Sequence, residues 1–432
     1  LLTDSAKIQE SDADYLNYKT VRALLHELST SKSNRHLPKA EIRRIRKLLK
    51  KDRHQLNRDT INRLMDKYQL NRVKPLYTIE DAEEAIEFFR GFPYEHPVDI
   101  GKGVSCTFHE AGHILGSSFI KINILNNGRR RTVFFTGDIG RFNKPILKDP
   151  ATHFSEQDRD VDLIIMESTY GNRIHEPVQS LKPRLKQILA QAAEEGGSIL
   201  IPAFAYGRTQ ELIYVLHEIY NEGDVTQLPI YLDSPLATKI TRVFAEHPET
   251  YDKETHAAFL EQGQNPFQFD QITFTESVED SMALMREKRP HIVIAASGMC
   301  EGGRILHHLR YKIHDPRNTI LIVGYMAANT LGRRILEQGL AYETAGRKGD
   351  PPLLRFYNKE YPLKARVVEL GGFSAHADRD EMLEFLKASQ LRIKKAAVVH
   401  GEEDQALSFA ETLRGEGIDA VVPRAGESVS FG

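Results

Sequence analysis

A mixed α/β fold, with one α/β domain inserted into another, is what this sequence predicts on three observations. Strand-like segments at 104–108, 119–124 and 132–135 read as an antiparallel meander, with Asn126-Asn127-Gly128 as a hairpin turn. Short apolar runs at 198–201, 229–232, 291–295 and 319–323 alternate with helical stretches such as 209–220 and 281–288, the pattern of an α/β unit. Strands return at 365–370, 396–399 and 420–422 around a helix at 379–388. No repeat or low-complexity linker separates these stretches, which favours an insertion over domains in series.

The remaining elements follow in order. From Ser5 to about residue 69 the pattern is helical and strongly charged. Within it, residues 39–53 carry Ile42, Ile45, Leu48 and Leu49 at helical spacing, with a dense Lys/Arg face opposite. That face reads either as a basic arm contacting phosphates or as a solvated helix surface. A helix at 80–89 precedes the meander, and a buried-strand run at 163–166 follows it. Leu1 is not an initiator methionine. LLTDSAKIQE reads as the interior of an amphipathic helix, with Leu1, Leu2, Ala6 and Ile8 on its apolar face, so the expectation is a chain lacking its N-terminal segment.

Composition bounds the class. A chain of 432 residues is too long for one typical domain, and 41% hydrophobic with 27% charged residues is ordinary for a globular protein. There is no run of about 18 apolar residues and no secretory signal pattern, so no membrane association is expected. Two cysteines, Cys106 and Cys300, in no paired motif argue against a disulfide framework and make the cytoplasm the expected location. A net charge of −2 gives no global attraction to nucleic acid, so RNA binding would need local positive patches or a metal site.

The residues that carry chemistry stand beside glycines at the ends of apolar strands: His113 in HEAGHILGS, Asp138 in FFTGDIGR, His376 in GGFSAHAD and His400 in AVVHGEE. Strand exits are where a rigid sheet positions side chains and a loop admits substrate. Imidazole and carboxylate are zinc ligands, and one carboxylate can bridge two metals in phosphodiester-cleaving sites. A single such histidine is usually structural, but three with a Gly-Asp between them point to metal-assisted hydrolysis. In IPAFAYGRTQE, Arg208 and Thr209 open a helix where phosphate can bind, unless Thr209 is simply its N-cap. His307 and His308 read as structural, and Cys300 has no partner cysteine for metal ligation.

The ordered set GHILGS, FTGDIGR, MESTYGNR, DSPLAT, SGMCEGGRILHHL, GYMAANTLGRR, GGFSAHAD and VVHGEE closely resembles the metallo-β-lactamase-fold nucleases of the β-CASP group, from the start of the chain to its end. The resemblance implies an αββα metallo-β-lactamase sandwich, incomplete at its N-terminus, with an inserted α/β β-CASP domain. Its expected boundaries are 1–176 and 358–432 for the metallo-β-lactamase parts and 177–357 for the insert. It implies two zinc ions, with His113 on one, His400 on the other and Asp138 bridging. Glu167 would orient a neighbouring histidine, and His376 would contact the scissile phosphate and protonate the leaving oxygen. Backbone amides of Phe373, Ser374 and Ala375, together with Arg208, would bind the substrate phosphate.

The implied activity is hydrolysis of single-stranded RNA, as an endonuclease with 5′ exonuclease action left open. A histidine at the position of His400 goes with RNA rather than DNA in that family. A homodimer is compatible with the resemblance. The family's His-x-His-x-Asp-His run is not in this sequence and is expected upstream of LLTDSAKIQE, so the chain by itself is expected to bind zinc weakly and to be inactive. Two other readings stay open: a thioester or lactam hydrolase on the same fold, and an inactive RNA-binding relative. The inserted domain counts against the first, and the retention of Asp138, His376 and His400 against the second.

Overall fold

The computed structural model describes residues 1–29, 40, 43 and 57–431, in two compact units, Leu1–Phe92 and Pro93–Gly432. The basic segment 39–53 lies, apart from Ala40 and Arg43, outside the described residues.

The first unit holds helices α1 (Leu2–Ser29), α2 (Arg58–Lys67) and α3 (Ile79–Glu87). The buried face of α1 runs through Ala6, Ala13, Asn17, Val21, Leu25 and Leu28, whereas Leu1 and Ile8, expected to share it, are exposed. Val21, Leu25 and Leu28 pack with Ile61 and Met65 of α2. Asn17 clamps the chain at Val73 through two side-chain bonds of 2.9 Å each. Thr78 and Asp81 close a capping box at the start of α3.

The second unit opens with the expected meander, preceded by a strand that the sequence pattern did not suggest. In order these are β1 (Pro97–Gly101), β2 (Val104–Glu110), β3 (Ser118–Asn126) and β4 (Arg129–Phe135). Asn127 and Gly128 both have positive φ, +49° and +72°, as a two-residue hairpin turn between twisted strands requires. Strand β5 (Asp160–Val161) and the apolar β6 (Leu163–Met166) follow.

The chain then enters an α/β layer: α4 (Leu181–Glu195), β7 (Ile199–Pro202), α5 (Arg208–Glu222), β8 (Ile230–Leu232), α6 (Pro235–Glu246), α7 (Lys253–Ala258), β9 (Ile272–Phe274), α8 (Val278–Arg286), β10 (Ile292–Ala295), α9 (Ile305–Lys312), β11 (Thr319–Ile322) and α10 (Leu331–Thr344). A hairpin, β12 (Leu353–Phe356) and β13 (Lys359–Pro362), leads to β14 (Arg366–Glu369). Last come α11 (Arg379–Ser389), β15 (Arg392–Ile393), β16 (Lys395–Val398), α12 (Glu403–Gly415) and β17 (Asp419–Val421).

Two sheets organise this unit. The seven-stranded sheet runs β1-β2-β3-β4-β6-β16-β17, antiparallel as far as β4 and parallel from β4 onward. Phe119, Phe134, Ile164 and Val398 of this sheet pack on Met382 and Phe385 of α11 and Phe409 and Leu413 of α12. The six-stranded sheet, β14-β11-β7-β10-β8-β9, is wholly parallel. Its central strands β7, β10 and β11 are largely Ile/Leu/Val and buried at every residue, as strands covered on both faces are. Ile199, Ile201, Ile292 and Ile294 join the cluster that includes α4 and α5, while Leu200, Val293, Ala295 and Ile320 join that of α9 and α10.

Two features of the structure bear on the expected stretches 1–176 and 177–357. The stretch 1–176 spans both compact units. Residue 357 falls in the turn of the β12–β13 hairpin, and β14, beyond it, pairs with β11 in the six-stranded sheet. Apolar patterning marks β14 as a strand but carries no information on which sheet receives it. No helix among the described residues is long and apolar enough to cross a membrane. Truncating a fully buried strand residue leaves a cavity between these layers. Ile294→Ala is expected to lower stability by about 2–5 kcal/mol, read from the shift in the urea unfolding midpoint.

Candidate metal centre

Three neighbouring parallel strands, β4, β6 and β16, end side by side, and each delivers one functional side chain from its C-terminal end. Asp138 follows β4, Glu167 follows β6 and His400 follows β16. His400 holds a left-handed backbone at φ +50°, unusual for a side chain of its size. His113 comes from the β2–β3 loop. His376 precedes α11 and is drawn in by an antiparallel bridge to Gly140 and by the Ala377 amide donating to the Ile139 carbonyl at 2.8 Å. Gly140 lies so close to the His113 loop that a Cβ on it would stand 2.1 Å from the Gly112 carbonyl group.

The five side chains converge as two sets of three donors, His113–Asp138–His376 and Asp138–Glu167–His400, the donor atoms of each set lying within 4.8 Å of one another. Asp138 belongs to both. Its Oδ2 faces His113 Nε2 at 3.6 Å and its Oδ1 faces His400 Nδ1 at 3.4 Å. A tetrahedral zinc site with bonds of about 2.0–2.1 Å separates neighbouring donors by about 3.4 Å. These separations are in the range of neighbouring donors around a metal ion. Burial, reinforced by the neighbouring His376, pushes the His113 pKa down to about 3, so the ring is neutral at physiological pH, as a ligand must be. Four-coordinate zinc needs more donors than these three residues supply.

Glu167 and His376 form a dyad. The Glu167 carboxylate is 1% exposed, accepts the Ile139 amide at 2.6 Å and holds His376 Nδ1 at 3.0 and 3.1 Å. Burial opposes charge on each partner. Their mutual attraction prevails, raising the His376 pKa and lowering that of Glu167. His376 Nδ1 is held by Glu167, and Nε2 is the ring's other nitrogen. The rings of His113 and His376 lie 4.4 Å apart and those of His376 and His400 5.9 Å apart.

The expected phosphate binders are placed differently. Phe373 and Ser374 spend their amides on the Leu370 and Gly371 carbonyls in a short 3-10 turn, so of the three amides only that of Ala375 has no hydrogen-bond partner among the described residues. Ser374 is 3% exposed. Arg208 is also buried, ion-paired with Glu211 and lying over the Phe373 ring at 5.9 Å, so it does not open toward solvent as a phosphate-binding helix start would. Helix α5 is capped by Gly207, whose amide donates to Gln210 Oε1 at 2.8 Å. Thr209 lies inside the helix and donates to the Phe204 carbonyl, which is not an N-cap contact. His308 is structural as expected, fully buried with its Nε2 2.6 Å from Asp233. Burial raises the Cys300 thiol to about 12, unsuited to a thiolate ligand.

Sequence reasoning missed Lys144. It is mostly buried, its side chain 10% exposed, and donates to Glu211 Oε2 at 2.8 Å and to the Ser374 carbonyl at 3.1 Å. Burial, partly offset by Glu211, brings its pKa down to about 7. Thr169 was missed too; its hydroxyl lies 3.4 Å from His376 Nδ1 and 3.3 Å from His400 Nδ1. Its place two residues after Glu167 in MESTYGNR was the one available signal.

Because Gly140 sets the spacing of the His113 and Asp138 loops, Gly140→Ala is expected to weaken metal affinity by about 10–100-fold. Competition with a zinc chelator measures this, with far-UV circular dichroism expected to be unchanged.

Comparison with known proteins gives this geometry its context. Residues 209–335 match a family described as the Beta-Casp domain, and residues 360–423 match the Zn-dependent metallo-hydrolase RNA specificity domain. The chain is 37% identical over 357 residues to Ribonuclease TTHA0252 of Thermus thermophilus, covering 82% of this chain and 76% of that protein. It is 33% identical over 322 residues to Transcription termination factor FttA of Methanosarcina mazei, covering 74% of this chain and 48% of that protein. For the FttA of Methanocaldococcus jannaschii the identity is 30% over 340 residues, covering 78% of this chain and 51% of that protein. The chain thus spans about three quarters of the bacterial relative and about half of the archaeal ones. It belongs to the β-CASP group of metallo-β-lactamase-fold RNA nucleases.

Proposed function

We propose that this chain forms the catalytic part of a zinc-dependent endoribonuclease that hydrolyses phosphodiester bonds of single-stranded RNA. The observation that carries the reading is Asp138, whose two oxygens face two histidines from different loops while the Glu167–His376 dyad stands alongside. The match to a Zn-dependent RNA specificity domain and the likeness to a named ribonuclease support RNA as substrate.

His113, Asp138 and His400 are the residues that would hold metal. Zinc bound there supplies Lewis acidity, making water nucleophilic near neutral pH and offsetting charge on the phosphate oxygens. His376 acts from the side. Glu167 fixes its ring and keeps it protonated, and the proton at Nε2 passes to the departing 3′ oxygen. Tyr170 stands edge-on beside His376, the ring centroids 6.3 Å apart. The Ala375 amide remains the one expected backbone donor available to a phosphate oxygen.

The full-length protein, purified with zinc, is expected to bind about two zinc ions and to cleave single-stranded RNA. Thioester hydrolysis with RNA left intact would overturn the reading. His376→Ala should reduce cleavage by about 100-fold or more at unchanged zinc content, and loss of zinc in that variant would make His376 a ligand instead. Glu167→Gln removes the charge that raises the His376 pKa. A general acid works only while protonated, so the alkaline limb of the pH–rate profile should move to lower pH, whereas a purely structural Glu167 would leave its position unchanged.

A further inference from the structure

The six-stranded sheet has a topological switch point at the carboxyl ends of β7 and β10. Strands β7 and β10 are neighbours, but the chain leaves them on opposite faces. After β7 it enters α5, packed with Ile199 and Ile201; after β10 it enters α9, packed with Leu200 and Val293. In open parallel sheets such a switch point leaves a gap beyond the carboxyl ends of the two strands, where ligands bind. The residues beyond these ends are Ala203-Phe204-Ala205 after β7 and Ser297-Gly298-Met299 after β10.

At this place stands a large aromatic ring open to solvent. Phe204 is 43% exposed although its neighbours Ala203 and Ala205 are buried. Its ring rests on Gly298: a Cβ there would lie 2.9 Å from ring Cδ2 and 3.0 Å from Cε2 and Cγ. The glycine is thus a seat that any side chain would fill. The loop is fixed on both sides, the Ala203 amide donating to the Ala295 carbonyl at 3.1 Å and the Thr209 hydroxyl to the Phe204 carbonyl at 2.8 Å. The same chain segment packs against the β2–β3 loop that carries His113, with the Tyr206 hydroxyl donating to the Leu115 carbonyl and Gly207 abutting Ile114.

A half-exposed phenyl ring fixed at a switch point, on a loop that packs against the loop carrying His113, suits one kind of occupant. We propose that Phe204, seated on Gly298, is a stacking platform for one nucleobase of the single-stranded RNA beside the scissile phosphate. The inference rests on the ribonuclease reading above. Stacking on a phenyl face tolerates any base, so the platform adds affinity and register without sequence preference.

The test is binding of fluorescein-labelled, phosphorothioate-linked single-stranded RNA to the zinc-loaded full-length protein, followed by anisotropy. Phe204→Ala is expected to weaken binding by about 10-fold or more, with zinc content and unfolding midpoint unchanged, and Phe204→Trp to retain or tighten it. Gly298→Ala should copy the loss by lifting the ring off its seat. The decisive arm replaces single nucleotides by abasic ones: at one position the difference between wild type and Phe204→Ala should vanish. Equal binding by wild type and Phe204→Ala overturns the proposal. So does a loss of the same size with an abasic site at every position, which would make Phe204 structural. A wild-type protein that binds no single-stranded RNA overturns the ribonuclease reading itself.

Discussion

The Glu167 carboxylate, almost wholly removed from water, is satisfied by the Ile139 amide and by His376. A buried carboxylate without such partners would cost several kcal/mol. The pair therefore ties the loop after β4, which carries Asp138, to the segment before α11, which carries His376. With Asp138, Glu167 and His400 standing at the ends of three consecutive parallel strands, the spacing of the sheet sets the spacing of the site. A strand-to-strand distance of about 4.8 Å suits side chains that must meet around one or two ions. The Gly112–Gly140 contact then brings His113 in from the far side of the meander.

The inserted domain is bound into this arrangement through charge. Lys144, from the loop after Asp138, reaches Glu211 of α5 and the Ser374 carbonyl, and Glu211 also pairs with Arg208. Removing Glu211 would strand two cations in a largely dry interior, whereas removing either cation leaves Glu211 paired with the other. Arg141 adds a second tie, donating to Glu381 at 2.9 Å and to the Gly372 carbonyl at 2.6 Å. The residues flanking His376 are thus gripped by both halves of the unit. Arg208, which looks like a phosphate ligand at a helix start, is used to build the wall behind the site.

Much of this was legible from local pattern. Strand runs, the Asn127-Gly128 turn and the helix at 379–388 follow from propensity, periodicity and turn chemistry, all of which act over a few residues. His113, Asp138, Glu167, His376 and His400 stood out because metal and acid-base chemistry draws on few residue types, and here they follow strands or flank glycines. The buried face of α1 was misjudged at Leu1 and Ile8, since helical periodicity leaves the choice between adjacent stripes to the partner helix.

The sequence by itself determined which elements form and which side chains could do chemistry. Tertiary structure decided which sheet received β14, which amides in Phe373-Ser374-Ala375 stayed free, and that Lys144, Thr169 and Arg208 stand where they do. It also decided that Phe204 lies on Gly298. The place of β14, of Lys144 and Thr169, and of Phe204 on Gly298 depends on residues far apart in sequence being brought together by sheet order and burial. No local pattern encodes such pairings, because the burial and pairing energies that select among them exist only once the layers have packed.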